Sequence, residues 1–568
     1  MLGLKFKSLS EIFFSILFLC FFLAGCGGGS SGSGDSSVTN AQTPNITIQP
    51  ANASYAQGDT ANPLSVNASV TDAGVLSYQW YKTSNPNNNG DLISGETQQT
   101  YTPSTLDVGT LYYYVVVTNT NNNVNGKTTA NITSDTVSIV VSIPKFHSIS
   151  FYDKNLDFIK TVEAKEGIVD LSNISNLSNV WYEANETLPL TTHKLTDDIR
   201  LYAAQNVQEI NNQKELDNTR NALTGKYILL DNITLDENKE GFDANGWDPI
   251  GNYTSDFRGI FNGNNNSISN LWINGTSTYY TGLFGHISYS QIRNLGVKTA
   301  NGKKVTGNDY VGIIAGKADS STITNSYSMG NVNGSFHIGG IVGKAAGSSN
   351  ITNSYSTGNA SGYQVIGGIA GNIENSNIAN SYSTENVNGT ANYVGGIVGK
   401  AEYSAIANSY STGNANVATD AGGIAGAILF SNITNSYSTG NVNGTDGYAG
   451  GIIGYISSGY IQNNAAINPS IVARVARSVN RIVGNINGGT VSNNFALNSM
   501  SITIDGSNGN AGANKTITQL KTKATYNSTI NGDGNGGLGW KFGDNDTNPW
   551  KIDANKNNGY PYLYWQNL

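Results

Sequence analysis

Between Gly282 and Asn498 the chain repeats itself every 27 or 28 residues, and this period limits the fold more than any other feature. The tyrosine of an Asn-Ser-Tyr-Ser motif recurs at Tyr327, Tyr355, Tyr382, Tyr410 and Tyr437, at intervals of 28, 27, 28 and 27. The second glycine of Gly-Gly-Ile recurs at Gly340, Gly368, Gly396, Gly423 and Gly451, at 28, 28, 27 and 28. Chance does not hold two motifs in phase over so many copies. A weaker copy precedes them around Ile292 and Gly312, and a degraded one follows at Ile461-Gln462-Asn463. A fixed period of this size denotes a solenoid, one coil per repeat. Ile-x-Asn-Ser-Tyr-Ser reads as one strand and Gly-Gly-Ile-Val/Ala-Gly as another, with Gly/Asn turns between. The expected fold is all-β, a right-handed parallel β-helix in which about seven coils spaced at about 4.8 Å give a rod of roughly 35 Å.

Equivalent residues of such a fold stack. Ile323, Ile351, Ile378, Ile406 and Ile433 are expected to form an internal aliphatic ladder. Asn325, Asn353, Asn380, Asn408 and Asn435 are expected to form an amide ladder, each bonding to the next. The tyrosines are a candidate ligand face if they point outward, since stacked rings suit a sugar face or a protein. Strict alternation from Ile323 through Asn325 instead carries Tyr327 inward, and core is the expectation, although a turn at the asparagine would reverse it.

The two ends are different. Lys5 and Lys7 precede an apolar run from Ile12 to Ala24, too short and wrongly flanked for a spanning helix. It closes on Leu23-Ala24-Gly25-Cys26, which resembles the lipobox of bacterial lipoproteins. That resemblance implies cleavage after residue 25 and a lipid on Cys26, strong enough for stable membrane anchoring. Gly27 is not Asp, which favours the outer membrane in a two-membrane bacterium. Cys20 leaves with the leader and Cys26 is acylated, so the mature chain has no disulfide although it is exported. The whole-chain charge is −8, and removing a leader of net +1 (Lys5, Lys7, Glu11) leaves −9. An acidic, charge-poor chain argues against a nucleic-acid partner.

Residues 26–42 form a Gly/Ser tether with a reach of roughly 20 Å. Across 43–143, alternating Ser77-Tyr78-Gln79-Trp80-Tyr81 and an Asp107-Val108-Gly109 turn before Leu111-Tyr112-Tyr113-Tyr114 resemble bacterial immunoglobulin-like sandwiches. The paired cysteines are missing, so Trp80 must pack on aliphatic and aromatic neighbours; either Tyr112 or Tyr113 faces inward. Across 146–206, Ile149-Ser150-Phe151-Tyr152, Trp181-Tyr182 and Leu201-Tyr202 resemble the β-grasp-like Listeria–Bacteroides repeat, whose usual role is a spacer or binding stalk. A helix is expected over Asn211 to Gly225, capped by Asn212 and ended by a left-handed Gly225. It opens an N-terminal cap at 207–280; the solenoid follows at 281–498. A C-terminal cap at 499–568 carries Trp540, Trp550 and Trp565 and would shield an open strand edge.

At Gly282-Leu283-Phe284-Gly285 and the Gly-Gly-Ile-Val-Gly copies the chain resembles the GLUG-motif repeats. Gly246-Trp247-Asp248-Pro249-Ile250-Gly251 and Gly559-Tyr560-Pro561-Tyr562-Leu563 extend the likeness over about 207–568. GLUG regions occur in many surface proteins, including the non-catalytic part of some IgA-cleaving metalloproteases. A metalloprotease needs His-Glu-x-x-His, whereas His147, His193, His286 and His337 lie far apart and none precedes Glu, so they read as surface or turn residues. A β-helix polysaccharide lyase or hydrolase needs clustered acids. Asp309, Asp319, Glu374, Glu385, Glu402, Asp420 and Asp446 read as sitting at different repeat offsets. Lys317, Lys344 and Lys400 share one offset and read as a solvated edge. Asp544-Asn545-Asp546 and Asp553-Ala554-Asn555 begin like calcium loops but lack the glycine and the closing glutamate, so no metal or other cofactor is expected. The reading is a lipid-anchored, non-catalytic surface protein that binds host, matrix or glycan ligands; a polysaccharide-active enzyme and a structural envelope lipoprotein are its rivals.

Overall fold

The computed structural model describes residues 37–171, 180–473, 478–503, 512–527 and 537–566. The leader, Cys26 and most of the tether lie outside the described residues. The chain divides into two units, Met1–Lys145 and Phe146–Leu568.

In the first unit Gly109–Thr120 pairs antiparallel with Val75–Thr83, Val137–Ser142 and Thr129–Thr133. Tyr113, Val115 and Val117 are buried while Tyr112, Tyr114 and Val116 are only half-buried, so Tyr113 is the inward tyrosine. Trp80 is fully buried. Its ring lies 5.9 Å from that of Tyr101, and its indole N–H donates to the Gln98 carbonyl at 2.9 Å. This satisfied aromatic centre, with Val115, Val117, Val137 and Ile139 around it, needs no disulfide.

The second unit opens with Phe146–Tyr152, antiparallel to Phe158–Lys165 and parallel to Ile199–Tyr202, over a core of Ile149, Phe151, Trp181, Leu195 and Leu201. This small module packs on the flank of the first coils. Arg293 pairs with Asp157 at 2.5 Å, the Asn262 amide donates to the Leu156 carbonyl at 2.5 Å, and the Asn294 amide donates to Asp157 at 3.1 Å. Asn212 does cap a helix, accepting from the Glu215 N–H at 3.0 Å, but the α-helix covers only Gln213–Asn218 and tightens to a 3₁₀ turn over Thr219–Asn221. Gly225 is not its left-handed end. It is small because a Cβ there would meet the Tyr227 ring at 2.6 Å.

From Val207–Ile210 onward two long parallel sheets run the length of a solenoid. The aliphatic ladder is present: Ile292, Ile323, Ile351, Ile378, Ile406, Ile433 and Ile461 pair in register, and all are buried. The expected single strand through Asn-Ser-Tyr-Ser is two. Asn325, Asn353, Asn380 and Asn408 take φ 50° and Asn435 φ 51°, so each turns a corner. Asparagine is one of the few residues that enters this region cheaply.

A corner leaves a backbone N–H pointing away from the next coil, and burying it unpaired is costly. Serine solves this. Just after each corner asparagine, Ser326, Ser354, Ser381, Ser409 and Ser436 point inward and are buried. The Ser354 N–H donates to Ser381 Oγ at 3.2 Å and the Ser381 N–H to Ser409 Oγ at 3.3 Å. Each Oγ then donates to the carbonyl two residues back, at 2.8 Å for both Ser381 and Ser409. A second serine ladder, Ser321, Ser349, Ser376, Ser404 and Ser431, does the same after another left-handed corner. The cross-section is thin: a Cβ on Gly396 would lie 2.2 Å from Ser411 Oγ.

One coil also buries an acid. Glu385 stands at the offset that Gly330, Gly358, Gly413 and Gly440 hold in the coils around it. Its carboxyl is fully buried, in contact with Ser356 Oγ, and its Oε2 has no partner. Burial pushes it up to about 8. Burial also pushes Asp420 up to about 6.

Ser381→Ala orphans the Ser354 N–H and is expected to destabilise the protein by about 1–3 kcal/mol, read as a lower urea midpoint. The Glu385 carboxyl has a raised folded-state pKa, so its contribution is fully present below its ordinary value of 4.5 and is lost as pH rises through about 8. The melting temperature should therefore fall between pH 5 and 9, and Glu385→Gln should flatten that fall; equal slopes would show that another group controls it.

Candidate functional site

The left-handed asparagine decides where the tyrosines go. It changes the phase, so Ser326 turns inward, Tyr327 outward and Ser328 inward again. The expectation of a core ladder is therefore overturned: the column stands on the outer surface of the coils. Consecutive rings from Tyr327 to Tyr437 stack at 5.0, 4.9, 5.0 and 4.8 Å, within 8° of parallel. Such pairs are worth about 0.5–1.5 kcal/mol each beyond area burial.

The C-terminal segment does not simply plug the end of the rod. It runs back along this column. Trp540 and Trp550 lie over Tyr437 at 6.3 and 5.9 Å, and Trp565 lies beside Tyr382 and Tyr355 at 5.7 and 6.2 Å. Polar groups accompany the rings. Gln566 donates to the Tyr410 hydroxyl at 2.6 Å, while the Tyr437 hydroxyl donates to the Pro561 carbonyl at 2.7 Å and accepts from Asn557 at 2.6 Å. The indoles of Trp540 and Trp565 donate to the carbonyls of Asn463 and Asn380. Tyr410 and Tyr437 are thereby buried, and burial raises both phenols well above their ordinary value, keeping them neutral.

The cover stops short. Tyr327 and Tyr355 stay half-exposed, and beside them opens a cleft of about 500 Å³ lined by Tyr327, Tyr355, Tyr382 and Trp565 and by the corner amides Asn294, Asn325 and Asn353. None of its described lining residues is charged. Burial pushes the Tyr355 phenol up to about 12, so it enters the cleft as a neutral hydroxyl. The amide ladder holds in part: Asn325 donates to Asn294, Asn408 to Asn380 and Asn435 to Asn408 at 3.1, 3.2 and 3.3 Å. It breaks at Asn353, whose amide turns to Asp546 of the covering segment at 3.1 Å. Asp546 also accepts from Tyr564, and Asp544 pairs with Lys551, so these acids tie the cover together.

A second face carries the lysine row. Lys317, Lys344 and Lys400 share a register, as expected, but each is ion-paired: with Asp319 at 2.6 Å, Glu374 at 2.7 Å and Glu402 at 2.9 Å. Those three acids share one offset, which corrects for them the reading that the acids are scattered; Asp309, Glu385, Asp420 and Asp446 do lie at separate offsets. The lysines sit half-buried between neutralising carboxylates rather than on a free edge, because like charges one coil apart repel. His286 is not a surface residue. It is buried, bonded to Asp319 at 2.8 Å and stacked 5.6 Å from Tyr280. His337 turns a corner at φ 48°, stacks on Tyr310 at 5.1 Å and meets Asp309 at 2.6 Å.

Trp565 and Gln566 are the cleft residues that sequence reasoning missed as a site. Their partners lie 185 and 156 residues away, and no local pattern signals such a contact.

Residues 334–361 and 390–418 match the family model of the GLUG motif. Both stretches lie on the coils just described. These two stretches of the solenoid carry the GLUG motif. Halomucin of Haloquadratum walsbyi (strain DSM 16790 / HBSQ001) is 34% identical over 138 residues, which is 24% of this chain and 2% of halomucin. A solved IgA1 protease structure overlaps 76% of this chain and 29% of its own, with 14% identity and a TM-score of 0.31. The chain thus spans a small part of both proteins.

Trp550 of the covering segment is fully buried against Tyr410 and Tyr437 of the coils. Trp550→Ala is expected to cost about 3–5 kcal/mol and to free the covering segment. Limited proteolysis should then cut first within 537–566, and cleavage elsewhere first would refute the role of Trp550 as its anchor.

Proposed function

We propose that this GLUG protein is held at the outer surface of a bacterial cell by a lipid on Cys26 and binds a host, matrix or glycan ligand there without catalysing a reaction. The lipobox residues Leu23-Ala24-Gly25-Cys26 support the anchor, and the serial arrangement of modules supports display away from a membrane. The observation that carries binding is the cleft at the uncovered end of the tyrosine column. A chain that buries two rungs of an aromatic column and leaves the other three only half-buried keeps a surface that water alone does not favour.

Protease treatment of intact cells, followed with an antibody to the solenoid, tests the placement. The protein should be shaved from intact cells, and Cys26→Ala should release it into the medium. Protection until the outer membrane is opened would remove the surface reading.

A further inference from the structure

We infer that the cleft beside Tyr327, Tyr355 and Trp565 is a subsite for an uncharged pyranose of a glycan, which rests on the surface-binding function above and names its ligand class. The protein itself displays the chemistry that this column accepts. The covering segment lays Trp565 within 28° of parallel beside Tyr382 and Tyr355 and a tilted Trp550 over Tyr410 and Tyr437, with single polar groups that meet the phenol hydroxyls: Gln566, Asn557 and the Pro561 carbonyl. Tyr327 continues the same column without that cover, and Tyr355 meets it only at the edge of the segment, at Trp565. What suits them is a group with a flat apolar side and a rim of donors and acceptors. A pyranose ring has both: axial C–H bonds form the apolar side and hydroxyls form the rim.

The surroundings narrow the class. The described lining of the cleft is neutral, made of phenols, carboxamides, the Trp565 indole and a serine, which match hydroxyls and bring no cation to a sulfate or carboxylate. Lys298, at 5.8 Å, already covers the first face of Tyr327 rather than opening into a charged pocket. An extended peptide would need a free strand edge for main-chain pairing. The coils offer none at this corner, because Tyr327–Gly339 and Tyr355–Gly367 pair with their neighbours in both directions. The rungs repeat every 5.0 Å along the rod, so the site is suited to a chain of sugar units lying along the column rather than to a single buried monosaccharide.

The test is a binding screen of the full chain against neutral hexose and N-acetylhexosamine oligosaccharides, with sulfated and sialylated oligosaccharides as comparators. Binding is followed by tryptophan fluorescence, to which Trp565 contributes. Neutral oligosaccharides should bind in preference to charged ones. Tyr327→Ala, which removes one ring pair at the end of the column, should weaken them roughly tenfold or more while the protein stays folded, with only a small drop in melting temperature. Tyr355→Phe, which keeps the stack and removes one hydroxyl, should weaken them less. Absence of neutral-glycan binding, a preference for charged glycans, or binding indifferent to both variants would overturn the inference. If no glycan binds but attachment of whole cells to a protein matrix depends on Tyr327, the pyranose assignment falls and the surface-binding reading stands. If attachment ignores deletion of the protein, that reading falls with it.

Discussion

Every coil gives its backbone hydrogen bonds to the coils on either side, and the rest of the structure follows from that obligation. Strands meet it automatically because their N–H and C=O groups point along the rod axis. Corners do not. A left-handed residue swings the chain round, and the next N–H falls inside the coil where no carbonyl is waiting. The two serine ladders supply both halves of the missing pairing: an oxygen to accept from the previous coil and a hydroxyl to donate locally. The polar interior of this solenoid is therefore a stack of completed bonds rather than a defect in an apolar core. Outside these ladders, Glu385 and Ser411 keep unpaired buried oxygens, and Glu385 gives the fold a proton-dependent element.

The same register that completes the corners multiplies whatever stands outside them. One outward tyrosine is unremarkable; five stacked in phase make a continuous aromatic column. One lysine per coil becomes a row of like charge. Each consequence is handled by a different device. The lysines are interleaved with Asp319, Glu374 and Glu402, and the aromatic column is covered over much of its length by tryptophans from the far end of the chain. The candidate site lies where the second device ends.

Much of this was legible in the sequence because periodicity survives translation. The coil length, the isoleucine ladder and the shared lysine register all follow from counting. The direction of the tyrosines did not, since a single left-handed asparagine reverses the phase that alternation assumes. The acid row was misread for a related reason: intervals of 27 and 28 drift by one, and Ala346 interrupts the row between Asp319 and Glu374. The helix was overextended because Gly225 looks like a terminator, whereas its size serves the Tyr227 ring. The contacts of Trp565 and Gln566 span most of the solenoid's sequence, and no local rule reaches that far.

The covering segment is anchored at fixed rungs: Trp540 on the coil of Asn463, Gln566 on Tyr410 and Trp565 on Asn380. It therefore acts as a ruler laid against a scale. A whole coil added before Tyr355 would lengthen the open part of the column by one rung and leave every cover contact intact. A coil added between Tyr382 and Tyr437 would stretch the ruler past its marks and pull Trp565 out of place. Length of binding surface and integrity of the cover are thus set by different parts of one repeat array, and the array can grow at one end without disturbing the other.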